Sequence, residues 1–206
     1  MEKEVLPLLK GTHIAVGLAV TLSILPPKSP GECALALLGG AIGSAVCDID
    51  IHSSAHKADA FWGRIAALII AVCALLYDRT CENRILTFIL SQPHRQLLVG
   101  FGAFLTLMIC FMLSGHRGFS HSLLAVVLIT AAATLICAPA APYFAIGIAA
   151  HIALDLFNRT GLRLFWPMKK RICFHVFYAD RIANGVCLIA GVAVSVIRLI
   201  ACIARP

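Results

Sequence analysis

Charged residues are scarce in this chain, and their scarcity excludes an ordinary soluble domain. Only 13% of the residues are Asp, Glu, Lys or Arg, whereas 60% are hydrophobic. Soluble domains carry about 25% charged residues, and the mean hydropathy of this chain is +0.92. Apolar runs recur along the whole length, so we expect one integral membrane domain over residues 1–206.

The chain also lacks CxxC pairs, although it contains nine cysteines. Most of these cysteines lie in or beside apolar runs, where a cysteine usually behaves as a small hydrophobic residue. They therefore predict neither a disulfide nor a cysteine zinc site. The formal net charge of +7 is expected to face anionic lipid in so apolar a chain, so we predict no nucleic-acid partner.

The apolar runs divide the chain into about seven membrane segments. Helix is the expected backbone state, because an open sheet would leave unpaired N–H and C=O groups in lipid. The predicted fold class is therefore all-α, a polytopic transmembrane helical bundle. A further piece, Ile85–Leu90, is too short to cross. The segments are Thr12–Leu25, Cys33–Val46, Ala60–Tyr77, Leu97–Leu113, Ser122–Ile136, Ala140–Phe157 and Ile182–Ile203.

A polar stretch, GHRGFSHS, interrupts this pattern with two imidazoles and a guanidinium. Polar groups of this kind are costly near a bilayer unless they are paired, solvated or bound to a metal. Gly118 permits a tight turn, and Ser120 is expected to cap the helix that follows. The turn would bring His116 and His121 to one point, with Arg117 placed either to bind a phosphate or carboxylate or to anchor the loop at the interface.

Three further places offer matching metal ligands. His151 and Asp155 are four residues apart, so on a helix both side chains point the same way. Asp48 and Asp50 follow an apolar run, and two carboxylates this close favour a cation between them. His13 opens the first apolar run. The alternatives are an exposed helix end for the first pair, a solvated turn for the second and a structural histidine for the third.

Counting crossings from the N-terminus places all of these polar groups on one face of the membrane. The chain returns to its starting face after every second segment, and each group follows an even number of segments or lies at the matching helix end. Basic residues are more numerous in the connections on that face, which places it in the cytoplasm.

Together the imidazoles and carboxylates form a mixed nitrogen and oxygen ligand set. Such a set suits zinc, manganese or iron better than calcium, and we predict one or two divalent ions, with zinc or manganese preferred. His52 and His56 follow the aspartate pair, and we expect them to lie outside the ligand set. The candidate metal ligands are His13, Asp48, Asp50, His116, His121, His151 and Asp155.

Five motifs resemble those of the YdjM family. They are Gly11–His13, Asp48–Asp50, His116–Ser122, His151–Asp155 and Gly161–Pro167, in the same order. Members of that family are described as LexA-regulated, inner-membrane, metal-dependent hydrolases. The resemblance implies a multi-pass protein of the cell inner membrane, hydrolase activity and metal binding by the seven candidates above. The chain departs from the family pattern at Cys47 and Ile51, where Pro and His are usual.

We therefore expect a membrane enzyme that hydrolyses an ester or phosphoester of a lipid or lipid-linked substrate. Metal-activated water would be the nucleophile, with Asp50 or Asp155 as general base and Arg117 stabilising the developing anion. The basic and aromatic loop over residues 158–181 would rest on anionic headgroups, as a lid or as an anchor. A cation or proton transporter that uses the same cluster is the alternative, and a metal-stabilised scaffold without turnover is a third class.

Overall fold

Eight α-helices form within the part of the chain that the computed structural model describes. That part comprises residues 10–50, 57–115, 117–157, 161–174, 176 and 181–204, with the side chains of 10, 50, 57–60 and 181 left out. The prediction of an all-α fold is confirmed. The helices are α1 (Lys10–Ile24), α2 (Pro30–Val46), α3 (Lys57–Cys81), α4 (Arg84–Ser91), α5 (His94–Leu113), α6 (Leu123–Cys137), α7 (Ala141–Phe157) and α8 (Arg181–Ile203).

Four apolar stretches are long enough to cross a membrane. Three shorter apolar helices, α1, α6 and α7, have 15, 15 and 17 residues, against the ~20 that a full hydrocarbon core requires. The polytopic bundle is thus confirmed, while the total of about seven crossings stays a prediction. The four long stretches are Pro30–Ile49, Phe61–Cys81, His94–Leu113 and Ile182–Ile203.

Small residues at the centre of the bundle bring the backbones of α2 and α7 together. A Cβ atom on Gly43 would collide with the carbonyl oxygen of Phe144, and one on Gly147 would lie 2.7 Å from the carbonyl oxygen of Gly40. Glycine is therefore required at both positions for this close approach. One helical turn after Gly147 comes His151, so the α2–α7 contact also sets the position of a predicted metal ligand.

Asp78 and Glu82 organise the pole at which α3 ends and α4 begins. Asp78 is buried, and its carboxylate accepts hydrogen bonds from the backbone N–H groups of Arg84 and Ile85, at 2.9 Å each. It thereby caps α4, which has eight residues and is too short to cross. Glu82 accepts from the backbone N–H of Gly31 at 3.0 Å and pairs with Arg84 at 2.9 Å. These contacts, the Gly31 hydrogen bond first, lower the pKa of the Glu82 carboxyl group.

A disulfide joins Cys33 in the first turn of α2 to Cys202 in the last turn of α8. The prediction of no disulfide is therefore wrong for this pair. Their sequence separation is 169 residues, so no local spacing could reveal the bond. Only the packing of the two helix ends brings the two cysteines together. The bond lies at the same pole as Glu82, opposite the predicted metal ligands.

Candidate metal centre

The turn between α5 and α6 contains backbone torsion angles that few residue types adopt. Gly115 and Arg117 have positive φ angles of 72° and 60°. The value is ordinary for glycine, but for arginine it is a strained conformation of the kind that concentrates at functional sites. A 3₁₀ turn, Phe119–His121, follows directly. The strained residue thus begins the segment that carries a predicted ligand into the protein.

Ser122 caps α6, and the predicted cap at Ser120 is wrong. The Ser122 hydroxyl accepts a hydrogen bond from the backbone N–H of Ala125 at 3.1 Å. Ser120 lies inside the 3₁₀ turn instead, where its hydroxyl group is 2.8 Å from Nδ1 of His121. Since Ser120 and His121 are both buried, this hydrogen bond orients the imidazole ring and leaves Nε2 directed towards the cluster.

His151 and Asp155 lie on the same face of α7, one turn apart, and both are buried. The direction predicted from their spacing is confirmed. Nδ1 of His151 lies 2.7 Å from the carbonyl oxygen of Ser44 on α2. A carbonyl oxygen only accepts, so Nδ1 carries the proton, and Nε2 of the neutral ring presents a lone pair to the other side. This is the arrangement by which proteins orient metal-binding histidines.

Five predicted ligands from four parts of the chain meet at this point. Nε2 of His151 lies 3.3 Å from Nε2 of His121, 3.7 Å from Oδ1 of Asp48 and 3.8 Å from Oδ2 of Asp155. The His13 ring stacks on the His151 ring with centroids 4.1 Å apart, and Nε2 of His13 is 3.7 Å from Oδ1 of Asp155. All five residues are buried. The expected convergence at one pole of the bundle is therefore observed for these residues.

Arg117 forms a buried ion pair with one of these carboxylates. Its guanidinium donates to Oδ1 of Asp155 at 2.9 Å, which leaves Oδ2 facing His121 at 3.3 Å. The cluster residues whose side chains are described thus include two buried carboxylates, of Asp48 and Asp155, and one buried guanidinium. Burying charge is costly unless it is paired, and a divalent cation would add positive charge beside these carboxylates.

The ligand atoms fall into two sets of three that share His151. The atoms of each set lie within 4.8 Å of one another, and the sets are His13, Asp48, His151 and His121, His151, Asp155. Two atoms bound about 2.1 Å from one tetrahedral zinc ion are about 3.4 Å apart. In the second set, His121 Nε2 is 3.3 Å from both His151 Nε2 and Asp155 Oδ2. These groups could hold a metal ion, and the spacing fits without large rearrangement.

Two of the seven predicted ligands cannot be placed in this cluster. His116 and the side chain of Asp50 lie outside the described residues, as do His52 and His56. The contact between His151 and the carbonyl oxygen of Ser44 could not be predicted from the sequence, because every residue type carries a backbone carbonyl group.

The described part of the loop after α7 packs on the turn between α5 and α6, here called the site turn. Leu162 and Ile172 form an isolated antiparallel bridge, and Leu123 N–H donates to the carbonyl oxygen of Leu164 at 3.0 Å. The Trp166 ring lies 4.9 Å from that of Phe119. This loop therefore holds the turn that carries Arg117 and His121, while several of its own aromatic side chains remain exposed.

The fold and the cluster together define a class: a helical membrane protein with a buried histidine and aspartate site that could hold a divalent metal ion. A family model described as YdjM inner membrane protein matches residues 8–204, nearly the whole chain. The chain belongs to this family, and it is a protein of the inner membrane, as predicted. No curated protein and no solved structure matches it.

Proposed function

We propose that the protein is a membrane-bound metal-dependent hydrolase that cleaves an ester or phosphoester of a lipid or lipid-linked substrate. The observation that supports this most is the set of buried nitrogen and oxygen ligands around His151, built next to a guanidinium. A divalent ion held there, zinc or manganese by ligand type, would lower the pKa of a water molecule and polarise the scissile group.

The other residues of the site orient the ligands or transfer protons in the proposed reaction. Ser44 fixes the tautomer of His151, and Ser120 fixes the ring of His121. Because Asp155 already pairs with Arg117, we assign Asp155 to the ligand set and leave proton transfer to Asp50, whose side chain lies outside the described residues.

Arg117 is the cation next to the ligand atoms, at 2.9 Å from Asp155. It would stabilise negative charge that develops on the substrate, as preorganised cations do in other hydrolases. Its buried position keeps that charge away from bulk solvent, where its effect would be screened.

We further propose that the site faces the cytoplasm. The excess of basic residues in the connections at this pole favours that orientation. The Cys33–Cys202 disulfide at the opposite pole also favours it, since disulfides persist in the oxidising periplasm and are rare in the cytoplasm.

Metal analysis combined with a substrate panel tests the proposal. The protein, purified in detergent, should contain one or two divalent ions and should hydrolyse at least one member of a panel of lipid esters and phosphoesters. His121→Ala should lose bound metal and lose turnover by at least ~100-fold, the scale on which metal-site changes act. His94→Ala is the matched control, because His94 is exposed at the start of α5, far along the chain from the cluster.

Two outcomes would contradict the proposal. Metal binding with no turnover on any substrate would favour a scaffold, and cation flux in proteoliposomes without turnover would favour the transporter. The ligands lie at helix ends at one pole, whereas transporter sites usually lie near the midplane between repeats.

A further inference from the structure

An apolar groove lies beside the site between α2, α3 and α5. Its volume is about 220 Å³. The walls are aliphatic side chains, and Arg64 is the one charged group among the described residues that line it. The aliphatic lining includes Ile42, Ile49, Ala67, Ala71 and Met108.

The groove and the metal cluster share a backbone segment. Ile49 lines the groove, and its neighbour Asp48 belongs to one of the two ligand sets. The Arg64 guanidinium donates to the carbonyl oxygens of Asp48 at 3.5 Å and of Ile49 at 3.4 Å. The charged residue of the groove is therefore adjacent to the segment that presents a ligand to the cluster.

The lining and the size of the groove favour an aliphatic chain as its occupant. The volume falls below the 300–1,000 Å³ of ordinary small-molecule pockets, and the walls are aliphatic. The outer face of α3 beside the groove is exposed, with Leu68 at 59% and Val72 at 45%, so it would contact lipid in the membrane.

Charge decides which lipid suits the groove. Arg64 is exposed, and its only hydrogen bonds in the described part of the chain are the two long ones to backbone carbonyls. A guanidinium binds phosphate or carboxylate in a bidentate way. A lipid with an anionic headgroup would thus suit both the aliphatic walls and the Arg64 guanidinium.

We propose that this groove binds one acyl chain of an anionic membrane lipid and that Arg64 binds its headgroup beside the metal cluster. The proposal rests on the proposed function in one respect, since it names the substrate class as an anionic acyl lipid that enters sideways from the bilayer between α3 and α5. Binding itself requires no turnover and can be measured without it.

Photolabelling the wild-type protein in nanodiscs tests the location. The probe is phosphatidic acid with a diazirine in its acyl chain, used with a metal chelator present so that no hydrolysis occurs. Adducts should concentrate on residues 67–71 and on Met108. Adducts spread evenly over the exposed face of α8, with none in the groove, would overturn the proposal.

Two matched pairs of variants test the mode of binding. Ala71→Phe fills the groove and should reduce groove labelling at least ten-fold, whereas Val72→Phe on the adjacent lipid-facing position should not. Arg64→Gln should reduce labelling by phosphatidic acid several-fold but leave labelling by a diazirine diacylglycerol unchanged, and Arg79→Gln, at the other end of α3, should change neither. Equal labelling of Ala71→Phe and wild type would overturn the proposal, as would equal labelling of the wild-type protein by the anionic and neutral probes.

The outcomes separate this inference from the proposed function. Groove labelling that depends on residue 71, in a protein that hydrolyses nothing, supports lipid binding and contradicts the hydrolase. Turnover that is the same in Ala71→Phe and wild type supports the hydrolase and contradicts the assignment of the groove lipid as its substrate.

Discussion

Replacing Gly147 by alanine tests whether the α2–α7 contact positions His151. The new Cβ would lie 2.7 Å from the carbonyl oxygen of Gly40 and 3.1 Å from the backbone nitrogen of Ser44. A carbon–oxygen contact normally needs about 3.3 Å, so the helices must separate by about 0.6 Å. The hydrogen bond from His151 to the Ser44 carbonyl, now 2.7 Å long, would lengthen by a similar amount.

The expected loss of stability follows from these distances. Overpacking of a tight contact costs about 1–3 kcal/mol, and weakening one hydrogen bond costs about 1 kcal/mol. The higher helix propensity of alanine offsets up to about 1 kcal/mol of this loss of stability. We therefore expect a net destabilisation of about 1–3 kcal/mol, together with a 10- to 100-fold loss of metal affinity of the kind seen when the residues that orient a ligand are changed.

Unfolding in mixed micelles and a competitive metal titration measure the two effects. Gly102→Ala is the control, because a Cβ there meets nothing within 4 Å and should leave stability equal or slightly higher. If Gly147→Ala bound metal as tightly as the wild type and unfolded at the same denaturant concentration, the α2–α7 contact would not position the site.

Variants at three further contacts are tested by the same unfolding measurement. Asp155→Asn removes the carboxylate charge that pairs with the buried Arg117 guanidinium, 2.9 Å away, so we expect a loss of stability of about 3–5 kcal/mol; the double variant with Arg117→Met should recover part of it, and simple additivity would argue against the pair. Asp78→Ala removes both acceptors of the α4 cap and should cost about 1–3 kcal/mol, with Asp78→Asn intermediate; a neutral Asp78→Ala would refute the cap. The folded-state pKa of Glu82 is lowered. Its contribution to the free energy of unfolding is therefore present above the ordinary carboxyl pKa of 4.5 and is lost as the pH falls through the folded-state pKa. Glu82→Gln should therefore differ from wild type at pH 7 and converge with it in acid, and a constant difference would contradict this.

Much of the fold could be predicted because a bilayer restricts backbone structure. The apolar runs gave helices with boundaries within a few residues, as at Ala140–Phe157 against the observed Ala141–Phe157. The parity of the crossings placed His13, Asp48, His121 and His151 at one pole. Two predictions were wrong: the identity of the serine that caps α6, and the absence of a disulfide, since Cys33 and Cys202 form one.

The role of Arg117 shows where residue type stops being informative. Its sequence position predicted either a clamp for a phosphate or carboxylate or an anchor at the interface, and it did not predict the ion pair with Asp155 that the structure shows. Such a pairing depends on the angle at which α7 passes the site turn, and a single sequence does not contain that angle.

The sequence by itself determined the membrane class, the helical state and the identities of the candidate ligands, because hydropathy and side-chain chemistry are properties of each residue. Only the tertiary structure decided that Ser44 fixes His151, that Arg117 holds Asp155 and that a groove opens beside Asp48. These features depend on how closely helices approach and where they cross. Small residues permit that approach, but the packing of the whole bundle sets it.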